Sequence, residues 1–190
     1  MFARRRSLRL QDFDYRSTGA YFITICAEAR RLHFEDPVLA GIVEKAWRSL
    51  PYRFPSVALD AFVLMPNHVH FVLWLTDVAA TLAVAGGGGA GASPAPTLGQ
   101  VVGAFKSIVA VEWLKWLKVH DSLRSGRVWQ RNYYEHVVRN EDELHRIREY
   151  IVMNPVKWHL DHNNPAREID PGFDQEWAWL EPKPVTGDQT

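Results

Sequence analysis

Hydrophobic residues recur along this chain with two different periods, and the switches between them outline its elements. "AYFITICA" (20–27) is a run of β-branched and aromatic residues and predicts a strand. From Pro37 to Leu50 the apolar positions are Leu39, Ile42, Val43, Ala46, Trp47 and Leu50, the spacing of one helical face, and Pro37 suits a first turn. "VALDAFVLM" (57–65) predicts a second strand. "MPN" then makes a tight turn, since Pro66 presets φ and Asn67 tolerates turn geometry. "HVHFVLWL" (68–75) follows as a third strand, antiparallel to the second. A long amphipathic helix is predicted over 97–120, with Thr97 as N-cap and Val101, Phe105, Ile108, Val109 and Trp113 along one side. A fourth strand is expected near 133–139. The last helix begins after Asn140, with Glu143 placed for a box-like cap, and Pro155 limits its continuation.

The order βαββαβ, followed by a further helix, predicts an α+β fold. It is the ferredoxin-like (RRM-like) plan, an antiparallel sheet with two crossing helices on one face. The other face stays available for a ligand or for the last helix. Residues 78–96, "VAATLAVAGGGGAGASPAP", form a low-complexity insertion that confers flexibility, and no Gly-Lys-Ser/Thr ending makes it a phosphate loop. Three parts follow: a basic N-terminal arm (1–14), a domain (15–165) interrupted by the insertion, and an acidic C-terminal tail (166–190).

Composition narrows the class. A chain of 190 residues, 47% hydrophobic, can bury a real core and does not read as disordered. One cysteine, Cys26, excludes an internal disulfide framework and any multi-cysteine zinc site. No apolar run has the length of a membrane span, and "MFARRRSLRLQ" lacks the apolar region of a secretory signal. A cytoplasmic protein without a membrane partner is expected. The formal net charge is zero, but its distribution is uneven. Arg4, Arg5, Arg6 and Arg9 open the chain, basic residues dominate 106–139, and acidic ones dominate beyond 167. An acidic tail can hide a basic surface in the sum. Arg4, Arg5, Arg6, Lys106, Arg131 and Arg139 are the candidate phosphate contacts, against the alternative of ordinary solvated charge.

The candidate chemistry starts with His68 and His70. Two residues apart on a strand, they emerge from one face, with Val69 directed to the other. Imidazole is a common metal ligand, and His-x-His on a strand offers two ligands that one ion can bridge. A third ligand should come from elsewhere, and the last helix offers Asn154, an amide oxygen suited to a hard cation. Tyr150 lies four residues earlier on the same helical face, towards the edge of the stripe formed by Leu144, Ile147 and Ile151. A phenol is a poor nucleophile until a cation or base favours phenolate. Tyr133 and Tyr134 compete for that role, His136 could assist or pack, and Trp129 could stack on an unpaired base.

"FVLMPNHVHFVLWL" and "VWQRNYYEHVVRNEDELHRIREYIVMNPVKW", in this order, resemble the HUH single-tyrosine transposases, and most closely their branch of REP-associated tyrosine transposases. The resemblance spans residues 15 to 160. It implies that His68 and His70 hold a divalent cation, magnesium or manganese, and that Tyr150 attacks DNA to leave a 5′-phosphotyrosine and a free 3′-hydroxyl. Asn154 stands where related insertion-sequence transposases often have glutamine, which keeps the amide and shortens the arm. The implied partner is single-stranded DNA flanked by a hairpin or palindromic repeat, met by a monomer or homodimer. Two rivals remain open: a hairpin-binding protein that has lost cleavage, and a metallohydrolase with Glu149 as its base.

Overall fold

The computed structural model describes residues 18–76, 96–120 and 123–180. The arginines of the N-terminal arm, nearly all of the 78–96 insertion and the last ten residues lie outside the described residues.

Strands β1 (Gly19–Cys26), β2 (Val57–Met65), β3 (His68–Leu75) and β4 (Tyr134–Val137) form an antiparallel sheet in the order β2-β3-β1-β4. β3 lies between β1 and β2, which makes the first three strands a split βαβ unit and gives the expected ferredoxin-like plan. β4 is shorter than the predicted 133–139.

Helices α1 (Pro37–Arg53) and α2 (Leu98–Val119) cover one face. Asp36 caps α1, its carboxylate accepting from the N–H groups of Val38 (2.7 Å) and Leu39 (3.0 Å). α1 runs three residues past its predicted end, through Pro51. A proline in the last turn removes one backbone donor, and Phe54 N–H still reaches the Leu50 carbonyl at 2.8 Å. α2 carries the expected Thr97 cap as a full box: Gln100 N–H donates to Thr97 Oγ1 and Thr97 N–H to Gln100 Oε1. Between these helices and the sheet, Tyr21, Ile23, Ile25, Val69, Phe71 and Leu73 from the strands meet Leu39, Val43, Leu50, Val101, Phe105 and Val109. Phe71 is the hinge of the ring packing, 4.7 Å from Trp47 and 5.6 Å from Phe105 between centroids.

The opposite face is covered by α3 (Glu141–Met153) and by a short helix α4 (Pro171–Trp177). Asn140 caps α3 as expected, accepting from Glu143 N–H at 2.8 Å. Glu143 departs from a box, because its carboxylate accepts from Arg139 N–H (2.6 Å), one residue before the cap, and pairs with His136 (2.9 Å). α4 was not predicted; its region read as a charged tail. The start signal is nevertheless present, with Asp170 capping through Gly172 and Phe173 N–H and Pro171 at the first position. Phe173, Trp177 and Leu180 bury against Ala20, Phe22 and Val72 of the sheet and Ile147 and Tyr150 of α3.

Candidate metal and tyrosine site

The site grows from the pleat of β1 and β3. On the α3 face, Thr24 stands opposite His70 and Cys26 opposite His68, so both imidazoles leave the same side of adjacent ladder positions. Both rings are buried, His68 fully and His70 to 3% exposure. Burial drives the His68 pKa down to about 3, with the Arg30 charge adding to it. His70 is also held well below the usual imidazole range, first by burial and then by His68, against the opposing charge of Asp161. Both rings are therefore neutral, the form that ligates.

Asn67 sets the orientation of His68. Its amide NH₂ donates to the carbonyls of Asn163 (2.6 Å) and Arg30 (3.2 Å), which leaves its oxygen facing His68 Nδ1 at 2.9 Å. An amide oxygen only accepts, so Nδ1 carries the ring proton and Nε2 presents a lone pair. Nε2 lies 2.8 Å from His70 Nε2, and Thr24 Oγ1 engages His70 Nδ1 at 2.8 Å. The two inner nitrogens converge on one small volume.

Asp161 completes the convergence, and sequence reasoning missed it. It follows a 3₁₀ turn (Trp158–Leu160); its Oδ1 accepts from Asn163 N–H at 2.6 Å and its Oδ2 lies 3.6 Å from His68 Nε2. That is too long for a hydrogen bond. His68, His70 and Asp161 offer ligand atoms within 4.8 Å of one another, all buried. The expected third ligand, Asn154, is the C-cap of α3 and 3% exposed. Asn154 Oδ1 and Asp161 Oδ2 are both buried acceptors without a hydrogen-bond partner. Orphaned acceptors of this kind are rare and costly unless something electropositive meets them. Two neutral imidazoles with the Asp161 carboxylate oxygen fit a divalent cation. The only sequence signal for Asp161 is a polar cluster, "DHNN", whose return to β3 no spacing rule foretells.

Tyr150 is 4% exposed, not at the edge of the packed stripe as its spacing suggested. The reason is α4. The Tyr150 ring lies 5.3 Å from His70 on one side and 4.9 Å from Trp177 on the other, and meets Phe22 edge-on. The sequence-predicted tyrosine and histidines are thus brought together, with a tryptophan over the tyrosine. Of its competitors, Tyr133 packs against the α1/α2 core. Tyr134, across the ladder from Thr24, packs against the α3 cluster. His136 is taken up by Glu143, and Glu149 is exposed. Trp129 is half-buried and packs on Phe34 and Phe105. Among the candidate phosphate contacts, Arg131 and Arg139 are exposed, while Lys106 donates to the carbonyls of Gln130 (2.7 Å) and Arg131 (2.9 Å) and so holds the segment before β4.

No family model matches the chain. An uncharacterized protein of Haemophilus influenzae is 34% identical to it over 176 residues, covering 83% of this chain and 91% of that protein. A second Haemophilus influenzae protein, named as a REP-associated tyrosine transposase, is 22% identical over 144 residues, covering 76% of this chain and 74% of its own. A solved structure of a REP-associated tyrosine transposase bound to a REP hairpin superposes with a TM-score of 0.52 at 18% identity, over 83% of this chain and 74% of that one. The sheet and helices are those of a transposase fold. The chain is similar in sequence to a REP-associated tyrosine transposase and shares the fold of one. Among the described residues, no helix is long and apolar enough to cross a membrane.

Proposed function

We propose that this protein cuts and rejoins single-stranded DNA beside a palindromic hairpin, with Tyr150 as nucleophile. The observation that carries this reading is the edge-on contact of Tyr150 with His70, 5.3 Å between centroids, beside the converging inner nitrogens and the orphaned Asp161 oxygen. His68 and His70, with Asp161 and Asn154, would hold a magnesium or manganese ion, which when bound would polarise the scissile phosphate and stabilise charge on its oxygens. The chain's own part is to present the tyrosine oxygen. α3 fixes Tyr150 on a rigid helix, its hydroxyl loses a proton as the phosphorus–oxygen bond forms, and the DNA 3′-oxygen leaves with a proton. A 5′-phosphotyrosine conserves the phosphodiester energy, so the 3′-hydroxyl can displace it and restore the strand without ATP. The hairpin itself enters as the ligand of the related solved structure.

A second reading has its own observation. Trp177 covers Tyr150, so the chain as it stands fits a protein that holds hairpins and does not cut them. One experiment separates the two. Incubated with manganese and single-stranded DNA from the flanks of its own gene, the protein should yield DNA that stays linked to it on a denaturing gel. Tyr150→Phe should give none while binding the hairpin within about twofold of the original, since one oxygen is lost and the helix kept. An adduct from the phenylalanine variant would move the nucleophile to Tyr134. No adduct from the unaltered protein, with hairpin binding intact, would establish the binding-only reading.

A further inference from the structure

The segment leaving β1 holds two consecutive non-glycine residues in the left-handed region, Ala29 (φ 52°) and Arg30 (φ 51°). Each conformation is unfavourable for a residue with a side chain, and survives only where the surroundings over-determine it. They do so here. Ala27 N–H donates to the Asn67 carbonyl (2.8 Å), Glu28 N–H to the Val128 carbonyl (2.8 Å), and Phe34 N–H to the Pro66 carbonyl (3.0 Å). The Arg30 carbonyl accepts from the same Asn67 amide that orients His68.

This bracing delivers one side chain to the rim of the site. Arg30 Nη1 donates to the carbonyl of His162, the neighbour of Asp161, at 3.4 Å, and the Arg30 charge reaches His68 and Cys26. Arg30 is exposed, and among the described residues no carboxylate pairs with it. A long contact to one carbonyl occupies little of a guanidinium, which carries five donors in a planar fork suited to phosphate. An exposed cation held at the turn of Asp161 adds nothing to packing. The strain that holds it there needs another purpose.

We propose that Arg30 grips a phosphate of the single-stranded DNA arm at the rim of the histidine site, making it a substrate-contacting residue for the reaction proposed above. This rests on that reading for the identity of the ligand, but its test does not require cleavage. The probe is a hairpin oligonucleotide from the gene's flank with a single-stranded arm, used as a series in which each arm phosphate in turn is replaced by an uncharged methylphosphonate. Binding is measured with manganese present in the Tyr150→Phe background, which forms no adduct on the proposed mechanism. At one arm position the replacement should weaken binding about tenfold, the scale of one lost charge-assisted contact. Adding Arg30→Ala should weaken the unmodified probe similarly and abolish the penalty at that position alone. Arg30→Lys should keep part of the affinity. Equal penalties with and without Arg30 at every position would overturn the proposal, whether or not the unaltered protein cuts DNA. Failure to form an adduct, with the coupling present, would instead defeat the strand-transfer reading and leave Arg30 as a binding residue.

Discussion

The two faces of the sheet differ by one residue of register and by almost everything else. Val69, Phe71 and Leu73 send apolar side chains towards α1 and α2; His68 and His70, interleaved with them, send polar ones towards α3. On the first face burial is favourable at each of these three strand positions, at about 25 cal/mol per Å² of apolar surface. On the second, Thr24, Asn67, His68, His70, Asn154 and Asp161 are all buried, and each must find a partner or cost stability. Most find one, but Asn154 Oδ1 and Asp161 Oδ2 do not. The first face supplies the stability that lets the second remain unsatisfied. A site of this kind is stabilised by what binds it, and that separates the faces experimentally.

The largest contrast in stability should come from adjacent positions of β3. Phe71→Ala should destabilise the fold by about 3–5 kcal/mol, the usual cost of deleting a buried ring. Magnesium or manganese should not restore it. His68→Ala combined with His70→Ala should leave the protein folded and instead remove its response to metal. The thermal midpoint of the unaltered chain should rise with added manganese, because a ligand that binds only the folded state stabilises it by mass action. The double variant should show no rise. A midpoint that climbs equally in both proteins would take the metal away from the histidines.

A smaller effect is expected at Asn67, which touches neither face's core yet joins three pieces of the site. Asn67→Ala removes the acceptor that fixes the His68 tautomer and the donor that ties the Asp161 turn to β3. Manganese affinity measured by calorimetry should fall about 10- to 100-fold, the range for lost outer-shell partners. The metal-free midpoint should move little by comparison. Unchanged manganese affinity would reduce Asn67 to the turn residue that its sequence position suggested.

The legibility of the two faces in the sequence differs for the same reason. Strand alternation and helical spacing are local signals, so the α1/α2 face was readable from Leu39 to Trp113, and His68 and His70 declared themselves by standing in a strand that needed no polar residue. Tyr150 and Asn154 were placed on one helical face by their spacing alone. Asp161, Asn67 and Arg30 were not assigned to the site, because their roles depend on turns that return to β3 through hydrogen bonds between residues up to 132 positions apart. The burial of Tyr150 was missed for a related reason. Trp177 lies in a seven-residue helix embedded in charged residues, which composition alone reads as a solvated tail.

The smallest predicted effect concerns how the tyrosine helix is fastened to the sheet. Arg148, two residues before Tyr150, donates Nε and Nη2 to the two oxygens of Asp60 on β2 (2.8 and 2.6 Å), and Trp74 Nε1 donates to the same carboxylate at 2.8 Å. The Arg148 guanidinium holds the Asp60 carboxyl below its usual range; burial opposes this and the Trp74 N–H adds to it. A carboxyl depressed in the folded state contributes stability that is fully present above its unfolded value, about 3.9, and is lost as pH falls through the lower folded value. The fastening should therefore be indifferent to pH between 5 and 8 and weaken only in stronger acid. Because the Arg148 side chain is 44% exposed, solvent screening keeps the contribution near about 1 kcal/mol, or about 2–4 °C in thermal midpoint for a chain this size. Asp60→Asn should lower the midpoint by that amount at pH 7, and the difference from the unaltered protein should shrink below pH 4. A difference that persists undiminished in acid would mean that the pair contributes by shape and not by charge.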